Sequence, residues 1–183
     1  MGRLIVFAGL PGSGKSTLAS ALADKLEAVL LNKDVVRAAL FADLHVEYSA
    51  RQNDFCMDII YQLAGYHFQH YPDRTVIIDG RTYCKRHQVE ILLKHQQRWN
   101  CEFFVIECVA SLETLLKRVN NDTGKHLAQD RTADMVQQAY VQWECWTTPR
   151  LTIQTDETSL SKSLELIQHY ITKTKKDQSN NWS

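Results

Sequence analysis

Five short apolar runs punctuate the chain, and the stretches between them carry apolar residues at helical spacing. Arg3 to Ala8 reads RLIVFA and stops at Gly9, the pattern of a parallel strand buried on both faces. Ala28 to Leu31, Thr75 to Ile78, Phe103 to Val109 and Leu151 to Gln154 repeat it. Helical spacing marks Ser16 to Leu26, with Leu18, Leu22 and Leu26 in one row. A short helix is expected over Asp34 to Phe41, capped by Asp34. A longer one follows over Ala50 to Phe68, striped by Phe55, Ile59, Leu63 and Tyr66, and ends before Pro72. Further helices are expected over Lys85 to Trp99, after a Ser111 cap, over Thr132 to Trp146 and over Leu160 to Ile171. Tyr140, Trp143 and Trp146 read as core packing, and Asn120 to Asp130, polar and aperiodic, as a mobile loop. Strand and helix alternate throughout, which demands a five-stranded parallel sheet covered on both faces by right-handed crossovers. The domain is expected over residues 1–173, with a polar tail over 174–183.

Composition narrows the class. The 183 residues are 44% hydrophobic and 23% charged, enough for one domain with a sizeable core. Lys plus Arg and Asp plus Glu are both 21, so no global charge draws the chain to nucleic acid or to an anionic membrane. The five cysteines form no C-x-x-C pair, which argues against zinc and against a disulfide framework and for reduced thiols in the cytoplasm. Leu4 to Leu10 is too short to span a bilayer, and no secretory signal is read there.

The chemistry starts where the first strand ends. Gly9-Leu10-Pro11-Gly12-Ser13-Gly14-Lys15-Ser16 matches G-x-x-x-x-G-K-S/T between a strand and a helix. Gly9, Gly12 and Gly14 permit the turns that aim backbone amides at a β-phosphate, at the positive end of a helix. Lys15 reaches the β and γ oxygens, and the Ser16 hydroxyl is placed for Mg²⁺; Ser13 and Thr17 complete the loop. Asp34 and Arg37, three apart on a helix after the second strand, share a face. An acid there can accept the proton of an attacking hydroxyl, and an arginine can grip an anionic part of the acceptor. Asn32-Lys33-Asp34 is not the guanine-reading N-K-x-D, because its acid comes one position early and follows the second strand. Asp79 ends the third strand, where a carboxylate holds Mg²⁺ or its water. Arg81 and Tyr83, just beyond, are candidates for acceptor contact.

The segments GLPGSGKST, LNKDVVRAALF and VIIDG resemble the small ATP-binding P-loop kinases over residues 3 to 172. These include polynucleotide 5′-hydroxyl kinase, adenylylsulfate kinase and zeta-toxin kinases. The resemblance implies a three-layer P-loop fold with a mobile lid, and ATP with Mg²⁺. It also implies a general-base role for Asp34 and substrate phosphate on Arg37. An arginine at Arg118 packs on adenine or begins a lid in that family. Its second lid arginine is replaced here by Asp122, which leaves Arg131, ahead of Lys125, to supply the catalytic cation. The expected reaction moves the γ-phosphoryl group of ATP onto a hydroxyl of a small metabolite or nucleotide-like acceptor, anionic acceptors included. The alternatives are a polynucleotide 5′-hydroxyl kinase, an adenylylsulfate kinase, or an ATPase or nucleotide switch without acceptor. The adenylylsulfate kinase reading meets Gln52-Asn53 where an acid–arginine pair is expected. Nucleic acid is an open partner that the balanced charge does not favour, and the sequence does not set the oligomeric state.

Overall fold

The computed structural model describes residues 1–41, 45–47, 49–121, 133–144 and 147–179. Five parallel strands lie in the order β2-β3-β1-β4-β5: β1 (Gly2–Ala8), β2 (Val29–Asn32), β3 (Thr75–Asp79), β4 (Cys101–Val109) and β5 (Leu151–Gln154). The helices are α1 (Lys15–Leu26), α2 (Lys33–Leu40), α3 (Ala50–His70), α4 (Arg86–Gln96), α5 (Leu112–Asn121), α6 (Ala133–Val141) and α7 (Leu160–Ser179). The closing helix therefore runs beyond Ile171, and residues 174–179, expected in a tail, continue it.

Alternation along β1 builds both cores. Leu4, Val6 and Ala8 face one layer, where Met57, Ile60 and Ala64 of α3 and Leu92 of α4 cover them. Ile5 and Phe7 face the other, against Leu18 and Leu22 of α1 and Ile167 and Ile171 of α7. Both faces of the central strand are thus buried, which explains why its sequence shows no polar face. A third cluster joins Leu10, Leu115, Val119 and Val136, and seats α5 and α6 against the outside of the phosphate loop.

Two local expectations are corrected. The cap of α2 is Asn32, whose side chain accepts from the amides of Asp34 at 2.9 Å and Val35 at 3.1 Å. The helix starts one residue earlier than expected, and Asp34 sits inside its first turn rather than at its cap. On α3 the buried face is Cys56, Met57, Ile60, Tyr61, Ala64 and Phe68, while Phe55, Leu63 and Tyr66 are exposed. A second helical row, offset by one position, won because it meets the sheet. The expected Ser111 cap does form, its hydroxyl accepting from Thr114 N, and Ser49, not singled out in the sequence, caps α3 by accepting from Gln52 N. Asn120 and Asn121, expected to open a mobile loop, instead end α5; the rest of that loop and the expected lid, with Asp122, Lys125 and Arg131, lie outside the described residues, as does Trp146.

Candidate active site

The carboxyl ends of β1, β2 and β3 converge because β1 lies beside β3 and β3 beside β2. Asn32 is in register with Asp79, so the acid of the third strand and the cap of α2 meet. Ligands of open parallel sheets bind at this edge.

The phosphate loop holds its shape through glycine geometry and two external anchors. Gly12 and Gly14 have φ of 79° and 81°, a region other residues enter at a cost. A Cβ on Gly9 would stand 2.3 Å from the Cys108 carbonyl oxygen, so only glycine lets β1 leave the sheet this close to β4. Helix α1 has Gly14 as its N-cap, which offers its first-turn amides no capping side chain, so the positive helix end is directed at the loop. Arg118 donates to Gly12 O at 3.1 Å, and the Thr155 hydroxyl donates to Ser13 O at 2.8 Å. Arg118 also binds Thr155 O and Oγ1, both at 3.0 Å. One arginine thereby ties α5, the phosphate loop and the β5–α7 turn together.

Two pockets flank Lys15. The first, about 380 Å³, is lined by Gly12, Gly14, Lys15, Ser16, Thr17 and Arg118, with Thr155 and Thr158 opposite. The expected nucleotide-binding residues gather here, except Gly9 and Ser13. Gly9 lies beneath the loop against β4. The Ser13 side chain is buried and lines a different hollow behind it. The second pocket, about 420 Å³, is lined by Lys15, Lys33, Asp34, Asp54, Arg81 and Lys85 among others, with Met135 and Ala139 of α6 over it.

Asp34 is 5% exposed and Arg37 1%. Arg37 Nη1 donates to Asp34 Oδ1 at 2.7 Å and its Nη2 to Asn53 Oδ1. Lys33 Nζ donates to the same Asn53 oxygen at 2.7 Å and stands 3.9 Å from Asp34 Oδ1. Asp34 thus lines the second pocket with the Lys33 and Arg37 side chains beside it. Arg37, expected to grip the acceptor, does not line that pocket, because its guanidinium is drawn inward to Asp34 and Asn53. Arg81 does line it and pairs with Asp54 at 2.5 Å. Tyr83, the other expected acceptor contact, is fully buried. Its φ of 54° turns the ring into the core, where its hydroxyl lies 3.2 Å from that of Tyr61. Burial and the neighbouring Tyr61 push its pKa well above the usual tyrosine value. Asn53, Asp54 and Thr155 are site residues that the sequence did not announce, since an Asn or Asp within a helix and a Thr after a strand carry no motif.

Asp79 is wholly buried. Asn32 Nδ2 donates to its Oδ2 at 2.7 Å, whereas its Oδ1 is buried with no hydrogen-bond partner among the described residues. A buried carboxylate oxygen without a donor is costly, and a divalent cation is the kind of partner it lacks. The residues present therefore fit Mg²⁺.

This is a kinase-like P-loop fold. The chain belongs to the family described as AAA domain, whose profile matches residues 4–141. Comparison with curated protein sequences finds no match. Among solved structures, the fold is similar to a protein of Chloroflexus aurantiacus described as a kinase, with a TM-score of 0.75 and 21% identity over 91% of this chain and 97% of that one. A gluconokinase from Sinorhizobium meliloti superposes with a TM-score of 0.71 at 13% identity, over 99% of this chain and 98% of that one. The Mycobacterium tuberculosis APS kinase CysC, solved with AMPPNP and APS, gives 0.71 at 18% identity, over 93% and 98%. Among the described residues no helix is long and apolar enough to cross a membrane.

Proposed function

We propose that the protein is an ATP-dependent phosphotransferase acting on a hydroxyl of a small metabolite or nucleotide-like acceptor. The observation that carries this reading is that Lys15 lines both pockets, one walled by the phosphate loop and the other by Asp34. A nucleotide in the first would place its γ-phosphoryl group at the mouth of the second. The acceptor hydroxyl loses its proton to Asp34, its oxygen attacks the γ-phosphorus, and the bond to the ADP oxygen breaks. Lys15 opposes the charge that develops on the transferring group. Ser16 and Asp79 would hold Mg²⁺, which supplies charge neutralisation on the phosphates when bound.

Arg37 is a positioning residue in this reading: its hydrogen bond fixes the Asp34 carboxyl. Anionic parts of an acceptor would meet Arg81, Lys33 and Lys85, which line the second pocket. Arg118, beside the nucleotide pocket, would flank the base. Arg131 is the proposed further cation at the transferring group. A cytoplasmic setting, with its ATP supply, suits the reaction.

Incubation with γ-labelled ATP and a panel of hydroxyl compounds, with 5′-hydroxyl oligonucleotides alongside, tests the reading. Label on a small acceptor supports it. Label released only as inorganic phosphate, at a rate indifferent to every acceptor, defines an ATPase instead.

A further inference from the structure

We propose that the hollow behind the phosphate loop is a second ligand site, taking a small organic ammonium compound that carries an aromatic ring. The hollow measures about 640 Å³, inside the range of small-molecule sites. It shares no described lining residue with the nucleotide or acceptor pocket. Its floor is Leu10 and Ser13, the outward side of the phosphate loop, and Leu115 of α5 forms a wall. Tyr140 and Trp143 supply aromatic faces. Tyr140 was expected in the core, yet it stays 48% exposed.

Charge selects the ligand. The described lining carries two acids, Asp156 and Glu157, and no lysine, arginine or histidine. Asp156 Oδ2 accepts from the Ser111 amide at 2.8 Å, and this hydrogen bond holds its carboxyl below the usual range. An ammonium group is attracted both by carboxylates and by aromatic faces, whereas an anion is repelled by the first. Apolar walls favour a ring on the same molecule. A second observation points to a ligand: Ser13 is 1% exposed, lines the hollow, and its hydroxyl has no partner among the described residues. Such a hydroxyl gains from a polar group brought within reach.

Occupancy would be felt at the nucleotide pocket. Ser13 O is held by Thr155, the neighbour of Asp156, and Gly12 O by Arg118 of α5. A ligand pressing on Leu10, Leu115 and Asp156 acts on the same anchors from behind. Coupling of this kind is reciprocal in binding free energy.

Calorimetric titration of the whole chain with phenethylamine, phenethyl alcohol and hydrocinnamate tests the site without requiring turnover. The amine is expected to bind at least about tenfold tighter than the alcohol, a difference of about 1.4 kcal/mol, with the acid weakest. Glu157→Lys, a change at an exposed position, is expected to weaken the amine by about tenfold or more while AMPPNP binds as before in the amine's absence. Trp143→Leu should weaken amine and alcohol together. Saturating amine should change the AMPPNP dissociation constant at least about twofold, with the same factor in the reverse titration. Equal affinity for the three probes, amine binding indifferent to Glu157→Lys, no binding up to the solubility limit, or an AMPPNP affinity untouched by the amine would each overturn the proposal.

Discussion

At the scale of single residues, three side chains carry separable consequences. Lys15 is the only charged residue common to the described linings of the nucleotide and acceptor pockets. Lys15→Ala should lower phosphoryl transfer by about a hundredfold or more while the thermal midpoint stays near that of the wild type; transfer at the normal rate in the folded variant would remove the phosphate-loop assignment. Asp79 has one oxygen held by Asn32 and the other buried without a donor among the described residues. Asp79→Asn should raise the Mg²⁺ concentration for half-maximal activity by about tenfold or more, and nucleotide binding in a chelator should change little. An unchanged Mg²⁺ requirement would make Asp79 a strand-end residue only. Arg37 is buried against Asp34 at 2.7 Å. Its replacement by Ala would leave a buried carboxylate short of its strongest partner, so the variant should lose about 3–5 kcal/mol of stability in denaturant unfolding. Arg37→Lys should recover part of this, because an ammonium lacks the second arm of the guanidinium fork. A stable Arg37→Ala protein with a raised acceptor KM would instead restore the anion-grip role.

At the scale of elements, the β5–α7 turn serves the phosphate loop although it is remote in sequence. Thr155→Val removes the hydroxyl that donates to Ser13 O and accepts from Arg118. Nucleotide affinity should fall by about threefold to tenfold, the worth of one or two hydrogen bonds, with the acceptor KM unchanged; a shift in the acceptor KM alone would contradict this anchoring. The elements themselves were legible because a buried parallel strand is written as an unbroken apolar run and the phosphate loop has no tolerance in its spacing. Less legible was which row of α3 faces the sheet. Phe55, Leu63 and Tyr66 form as regular a row as Cys56, Ile60 and Ala64, and only the approach of the sheet separates them. The same holds for the cap of α2. Asn32 and Asp34 are both good caps, and the register of β2 against β3 decides for Asn32 by placing it on Asp79. Tyr83 looked like an acceptor contact from its place after β3. Its left-handed backbone and its burial beside Tyr61 are invisible in a one-dimensional pattern.

At the scale of the whole molecule, an apolar two-faced core holds a polar edge on which two pockets meet. The core also governs its cysteines. Burial pushes the Cys108 thiol up to about 12, although Lys15 pulls the other way. The thiolate is the reactive form, so Cys108 should resist thiol reagents at pH 8 in the folded protein and react on unfolding. Prompt labelling in the native state would show β4 to be more accessible than its packing implies. The polar edge makes the stronger claim, namely that a nucleotide and an acceptor bind on either side of Lys15 and that Asp34 takes the proton between them. The measurement that tests it most directly is transfer of label from γ-labelled ATP to an acceptor by wild type and by Asp34→Asn, alongside AMPPNP titration of both. Asn32, not Asp34, caps α2, and an Asn oxygen can still accept from Arg37, so the variant should fold at some cost in stability, read from its thermal midpoint, while the proposed base is lost. The AMPPNP dissociation constant is expected to stay unchanged and transfer to slow by about a hundredfold to ten-thousandfold. Transfer at the wild-type rate by Asp34→Asn would contradict the claim.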